Sequence, residues 1–480
     1  MAPRESDSLL PYDDDNKKPA LVGHLSIASR GCNGPEDPAR GEDTEQAKQL
    51  PAWFGTAKSL LLVPGTLLFV LVLAGSFGSP GADHGLRSGI HTLAEALANK
   101  TAPSSDENAD GSYTLHQGTG PYALVERHTG KSFFDHYDFA DGPDSIGSAG
   151  YNTYVGRHRA GELGLARVVQ GGNDSGSDSD EYVVLSSRSG TTFDENGNRY
   201  RESVRLEGKR RIDHGLILLD VEKMPTGCGV WPAFWSTDEA HWPDYGEIDI
   251  VEPINNQVVA KTALHTSEGC DMFAHVPRWN WTGHWDSATG LPDTFTGEPN
   301  FDTEVQADNC WTMTPHQWAN QGCVAIHDKN GTIGEPMNQN GGGVYALEWD
   351  PTSGYIRSWV FRRGEIPRNL QQALAGSGNP RPDPSSWPTP YAYFAIGEGS
   401  GCPSEHFRHH RLVINLAFCG AVAGNRFARD CPALYERYNV RNDSVATCNA
   451  YLESDEARAL LDEEAYWKIG GVHLYQREHA

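Results

Sequence analysis

Three carboxylates fall within the run Trp242-Pro-Asp-Tyr-Gly-Glu-Ile-Asp-Ile-Val-Glu252. Glu247 and Asp249 alternate with Ile248 and Ile250. Successive side chains on a strand face opposite ways, so the two acids share one face and the two isoleucines the other. A regular strand would turn Glu252 toward the isoleucine face, where an unpartnered carboxylate is costly. A β-bulge at Ile250-Val251 adds one residue and returns Glu252 to the acid face. Acids crowded on one face raise one another's pKa values, so at least one is expected to keep its proton near neutral pH. One ionised carboxylate beside one protonated carboxyl is what glycosidic cleavage asks for. Residues this close on a bulged strand can reach the spacing of about 5 Å used by a retaining site, and the wider inverting gap is harder to build. A calcium site or a solvated acidic strand would account for the same spacing. The balance is moved by Trp231, Trp235 and Trp242 just upstream. Each alone reads as core packing. Together, beside three acids, they read as the aromatic lining of a sugar-binding cleft.

The elements that must hold these residues are short and turn-bounded. Strand-type runs are expected at 182–186, 203–206, 215–221, 247–251, 258–265, 343–349, 356–361 and 411–418, separated by Gly, Pro and Asn. With 52 Gly and 29 Pro in 480 residues, this pattern points to an all-β sandwich. No internal repeat interrupts it. Residues 271–342 carry Trp279, Trp281, Trp285, Trp311 and Trp318 and read as long loops tied down by Cys270, Cys310 and Cys323.

The chain divides into a disordered tail at 1–58, an apolar segment at 59–78, a stalk at 79–111 and a folded domain at 112–480. The tail is rich in Asp, Glu, Pro, Gly and Ser and lacks an apolar period. The 59–78 segment has no charged residue and is long enough to cross a bilayer as a helix. The polar stretch before it argues against a cleaved signal peptide and for an uncleaved anchor. Cys32 precedes that segment, and the other eight cysteines follow it without zinc-ribbon spacing, which suits disulfides in an oxidising compartment. Glycosylation acceptors at Asn99, Asn173, Asn280, Asn330 and Asn442 also follow it. The expectation is a single-pass type II protein with a cytosolic tail and a lumenal or extracellular domain. Glu5 with Leu9 and Leu10 matches an acidic dileucine sorting signal, which stray leucines in a disordered tail would equally produce. A net charge of −25 makes nucleic acid a poor partner. A mean hydropathy of −0.54 excludes a polytopic membrane protein.

Gly227-Cys-Gly-Val-Trp-Pro-Ala-Phe-Trp235 followed by the acid run resembles the signature of glycoside hydrolase family 16, in its fungal endo-1,3(4)-β-glucanase branch, the laminarinases. Lys131 to Asp135, Thr262 to Ser267, Val413 to Gly420 and Ala465 to Ile469 continue the likeness in order across most of 112–480. The resemblance implies a concanavalin-like jelly-roll sandwich and retaining hydrolysis of internal β-linkages. It implies Glu247 as nucleophile, Glu252 as acid/base and Asp249 as an assisting hydrogen-bond partner. His265 would sit beside the acid/base, and Trp235 and Trp242 would line the subsites at the cleavage point. Two departures stand out. Ala421-Val422 replace a common Asp-Trp, removing a sugar-stacking ring, and Pro253 follows Glu252 where Gly is usual. Pro cannot donate to a ladder, so the acid strand should end or lie at an edge there.

Relatives carry calcium on the convex face, but no dedicated metal site is legible here and no cofactor is called for. The expected partners are β-glucan and the membrane, and the chain is expected to act as a monomer. Two other readings compete with hydrolysis: transglycosylation of wall glucan, in which a sugar hydroxyl resolves the intermediate, and non-catalytic glucan binding on the same fold.

Overall fold

The computed structural model describes residues 106–107, 113–114 and 120–478, save 145–146, 172–180, 194–198, 274, 289–305, 316 and 377–380. The chain separates into units Met1–Ile90 and His91–Ala480, the first lying wholly outside the described residues. The expected tail, the membrane segment 59–78, most of the stalk, Cys32, Asn99 and Asn173 therefore also lie outside them. Among the described residues no helix is long and apolar enough to cross a membrane.

Two eight-stranded antiparallel sheets pack face to face. One runs His284–Trp285, Cys323–Ile326, Lys261–His265, Glu247–Val251, Val230–Thr237, Arg411–Phe418, Arg205–Gly208, Tyr137–Phe139. The other runs Ala392–Ala395, Tyr355–Arg362, Gly343–Asp350, Gly215–Lys223, Tyr466–Arg477, Glu181–Ser186, Ala166–Gln170, with Tyr122–His128 also paired to Tyr466–Arg477. Residues from the inner faces meet in one core: Phe234, Ile248, Ile250, Leu264 and Ile414 from the first sheet, and Ile217, Leu219, Leu347 and Trp467 from the second. Leu216 and Leu218 point the other way, into a second cluster with Trp359, Leu370 and Ala373. The helix Arg368–Ala375 supplies the last two and covers that outer face. Gly215–Lys223 is thus apolar on both sides, which explains its unbroken run of aliphatic residues.

Between Arg411–Phe418 and Tyr466–Arg477 the chain builds a helical insert: Phe427–Asp430, Pro432–Tyr438, Ser444–Leu452 and Asp455–Glu464. Asp443 and Ser454 cap the last two by accepting from Ala446 N and Ala457 N. The insert has its own core of Phe427, Tyr451, Leu452 and Leu461 against Phe418. Two disulfides, Cys228–Cys431 and Cys419–Cys448, tie it to the first sheet. The other two bridges are Cys270–Cys402 and Cys310–Cys323, so all eight cysteines after the apolar segment are paired, as expected.

The 271–342 segment differs from its expected loop character. It contributes Cys323–Ile326 and His284–Trp285 to the first sheet and a helical turn at Glu335–Gln339. Four-residue and two-residue strands leave too short an alternation to stand out from surrounding turns.

Candidate active site

The acid strand Glu247–Val251 lies inside the first sheet, flanked by Val230–Thr237 and Lys261–His265. Trp235 opposes Asp249, but the next residue back, Phe234, opposes Val251. Ile250 is the extra residue, so the ladder carries the bulge that the acid spacing demanded. Ile248, Ile250 and Val251 are all buried in the core. Glu252 emerges on the other face and lines the same cleft as Glu247 and Asp249. The strand ends at Val251, two residues before Pro253, as the missing proline donor led one to expect.

The cleft has a volume of about 660 Å³. Its floor is made by alternate residues of neighbouring strands: Trp231, Ala233, Trp235 and Thr237 on one, Lys261, Ala263 and His265 on another. The period of two is the same one that sends Phe234 and Leu264 into the core.

Each expected site residue has a defined partner. Trp242 Nε1 donates to Glu247 Oε2 at 2.7 Å, while the Trp242 ring stays 42% exposed on the cleft rim. Trp231 is buried, and its Nε1 donates to Glu252 Oε1 at 2.8 Å. Trp231 is therefore a hydrogen-bond anchor for the third acid as well as a wall. His265, expected beside Glu252, acts on that acid through its charge, while its Nε2 lies 3.0 Å from Asp249 Oδ2. In register it faces Glu247, since the ladder sets 265 against 247. Gly322 packs against this imidazole at φ +67°, where an added Cβ would come 2.2 Å from Leu264 O and 2.9 Å from His265 Nδ1.

Burial and mutual repulsion act on all three acids. Burial, then the Asp249 charge, pushes Glu247 up to about 8 against the pull of His265 and the Trp242 hydrogen bond. Burial and then Asp249 likewise raise Glu252 to about 8, opposed by the Trp231 hydrogen bond. Burial raises Asp249 to about 7, opposed by its hydrogen bond with Glu247. A group of this kind keeps protons at neutral pH and can share them.

Sequence reasoning did not single out the support behind Trp235. Its Nε1 donates to Asn415 Oδ1 at 2.7 Å, and Asn415 Nδ2 donates to the Tyr154 hydroxyl at 3.4 Å. That hydroxyl donates to Asp144 Oδ2 at 3.0 Å, which also accepts from Ser148. The Arg205 guanidinium lies over the Trp235 ring at 5.1 Å. The signal that could have found Asn415 was a lone amide at an alternate position of an otherwise apolar strand. Ala421 and Val422 line the cleft where an aromatic was expected to be missing, with Arg426, just ahead of the helical insert, also lining it. Trp318, from the Trp-rich segment, lines the cleft too.

A family description for an XgeA-like, catalytic GH16 domain matches residues 137–475. A relative named probable endo-1,3(4)-β-glucanase, from Aspergillus fumigatus, is 36% identical over 357 residues, covering 74% of this chain and 45% of its own length. The chain spans about half the length of the curated relatives first matched. Among solved structures, an elongating GH family 16 β-1,3-glucosyltransferase superposes with a TM-score of 0.57 at 30% identity, over 74% of this chain and 100% of that one. GH16 Laminarinase 16A from Phanerochaete chrysosporium, with two β-glucans in donor and acceptor sites, superposes with a TM-score of 0.55 at 27% identity, over 74% of this chain and 99% of that one.

Proposed function

The chain belongs to glycoside hydrolase family 16, and from that premise we propose that it is a membrane-anchored retaining endo-β-glucanase, cleaving internal 1,3- or mixed 1,3/1,4-β-glucosidic bonds. The observation that carries the reading is the bulge at Ile250, which sets Glu252 on the cleft face with Glu247. In the first step the Glu247 carboxylate attacks the anomeric carbon. The glycosidic C–O bond breaks as Glu252 gives its proton to the departing oxygen, leaving a glycosyl ester on Glu247. In the second step Glu252, now ionised, takes a proton from water. The hydroxyl adds to the anomeric carbon and Glu247 is released. Asp249 holds Glu247 by a hydrogen bond and is itself held by His265. The N–H groups of Trp242 and Trp231 favour the ionised forms that Glu247 and Glu252 take in turn.

Transfer to a sugar acceptor is a second reading, favoured by the likeness to an elongating glucosyltransferase. The two differ only in what resolves the ester.

A panel of β-1,3, β-1,4 and mixed-linked glucans with product sizing tests both. Hydrolysis gives shorter products, and transfer gives lengthened ones with labelled acceptor. Glu247→Gln should abolish release of reducing sugar from laminarin. Equal release by variant and wild type would leave only a binding module. Glu252→Gln should lose activity on unactivated glucan but keep a measurable part of it on a substrate with a good leaving group, which needs no acid. Equal losses on both would remove Glu252 from the acid role.

A further inference from the structure

A second cluster of ligating side chains sits away from the cleft. Glu126 and His128 are two apart on the strand Tyr122–His128 and so share a face. His136 ends the helical turn Gly130–His136 that follows. Glu126 Oε2 lies 2.8 Å from His128 Nε2 and 3.8 Å from His136 Nδ1. One ligand atom from each residue falls within 4.8 Å of the other two.

We propose that Glu126, His128 and His136 form a binding site for a divalent transition-metal ion of the zinc class. Two imidazoles and a carboxylate are a zinc donor set, with the remaining position open to water. The two gaps at Glu126 bracket the separation of about 3.4 Å between ligands held about 2.1 Å from a tetrahedral ion. Both inner ligands already have the outer partner that ligation uses. Glu126 Oε1 accepts from Arg210 Nε at 2.7 Å, which aims Oε2 at the imidazoles. His128 Nδ1 lies 2.9 Å from the Tyr137 hydroxyl, leaving Nε2 for the ion. His136 stacks on His128 with centroids 3.9 Å apart. Ligation requires its ring to tilt out of that stack, and at 28% exposure it has room to do so.

The role that follows is structural. Glu126 and His128 belong to a strand of one sheet, through its pairing with Tyr466–Arg477. The chain after His136 runs straight into Tyr137–Phe139, the edge strand of the other. An ion held there joins the two sheets at the amino-terminal edge, ahead of the region between Cys228 and Cys448 that holds all four disulfides. None of the three ligands lines the cleft.

The test is titration of chelator-stripped protein with zinc chloride by calorimetry and by thermal denaturation, with cobalt(II) as a spectroscopic substitute. The expected result is one saturable site, a higher Tm with zinc and cobalt bands of a four-coordinate centre. His136→Ala and Glu126→Gln should each weaken zinc binding by at least about tenfold. Glu247→Gln should leave it unchanged, separating this site from the acids of the cleft, where Glu247, Asp249 and His265 also converge. His136 is partly exposed, and circular dichroism of His136→Ala checks that it folds. Absence of saturable binding, or binding indifferent to His136→Ala in the folded variant, would overturn the proposal.

Discussion

At the scale of single residues the site is a problem in proton placement. Glu247, Asp249 and Glu252 are each raised above the usual carboxyl range, first by burial, and Glu247 and Glu252 next by the Asp249 charge. A folded pKa above the unfolded one means that the folded state binds more protons between the two values. Stability is then present at low pH and declines as pH rises from the unfolded value toward about 8. Glu252→Gln removes that titration. Its Tm is expected to match wild type near pH 4 and to exceed it by at least about 2 °C at pH 8. A pH-independent difference between the two melting curves would contradict the raised pKa. Trp231 makes a separate prediction. Its N–H stabilises ionised Glu252, so Trp231→Phe should raise the proton affinity of that group and move the basic limb of the activity profile to higher pH. The lost charge-assisted bond should also lower kcat by about tenfold or more. A smaller kcat with unmoved limbs would assign Trp231 to packing alone.

At the scale of elements, one strand and its bulge do most of the positioning, and the turn Gly420–Gly424 that leads into the helical insert contributes to the far wall. Cys228 lies just before the strand that carries Trp231 and Trp235, and its bridge to Cys431 spans 203 residues of sequence. Asn255, three residues beyond Glu252, donates to Ala423 O of that turn and to Asp430 of the insert. Replacing Cys228 and Cys431 with Ser together should cost about 2–5 kcal/mol. It should also raise KM for long glucans more than it lowers kcat, because Ala421 and Val422 line the cleft and do not touch the acids' hydrogen bonds. Thermal denaturation and steady-state kinetics on laminarin read both effects, and an unchanged KM would detach the wall from substrate binding.

The same elements show what was legible beforehand. The acid strand was, because four alternating residues and one misplaced Glu admit a single register. Arg411–Phe418 was, because its apolar run is bounded by turns. Val230–Thr237 was not read as a strand, since Pro232 in its middle argues against a central one. There Pro232 faces Leu416 in the ladder and is accommodated. The insert helices are four to ten residues long, too short to show a period or to hold without tertiary contacts. The two disulfides and the Phe427 and Tyr451 core that sustain them come from distant parts of the chain. Asn415 and Tyr154 escaped for the same reason, being 261 residues apart in sequence.

At the scale of the whole molecule, the four disulfides set a condition on where the domain folds. Bridges of this number form and persist in an oxidising compartment, and on that ground we propose a lumenal or extracellular side for the domain. In that proposal the uncharged segment at 59–78, long enough to cross a bilayer, would hold the domain at a membrane with residues 1–58 in the cytosol. That arrangement would keep a glucan-cleaving site within reach of the wall and limit it to the zone next to the membrane, where remodelling and digestion differ only in the acceptor. Protease added to intact microsomal vesicles should then remove the tail alone and leave a protected fragment that retains the folded domain. The fragment should stay with the membrane through alkaline carbonate extraction and become degradable once detergent opens the vesicle. Loss of the domain in intact vesicles would place it in the cytosol, where its bridges would not survive. Release by carbonate would show that 59–78 does not span.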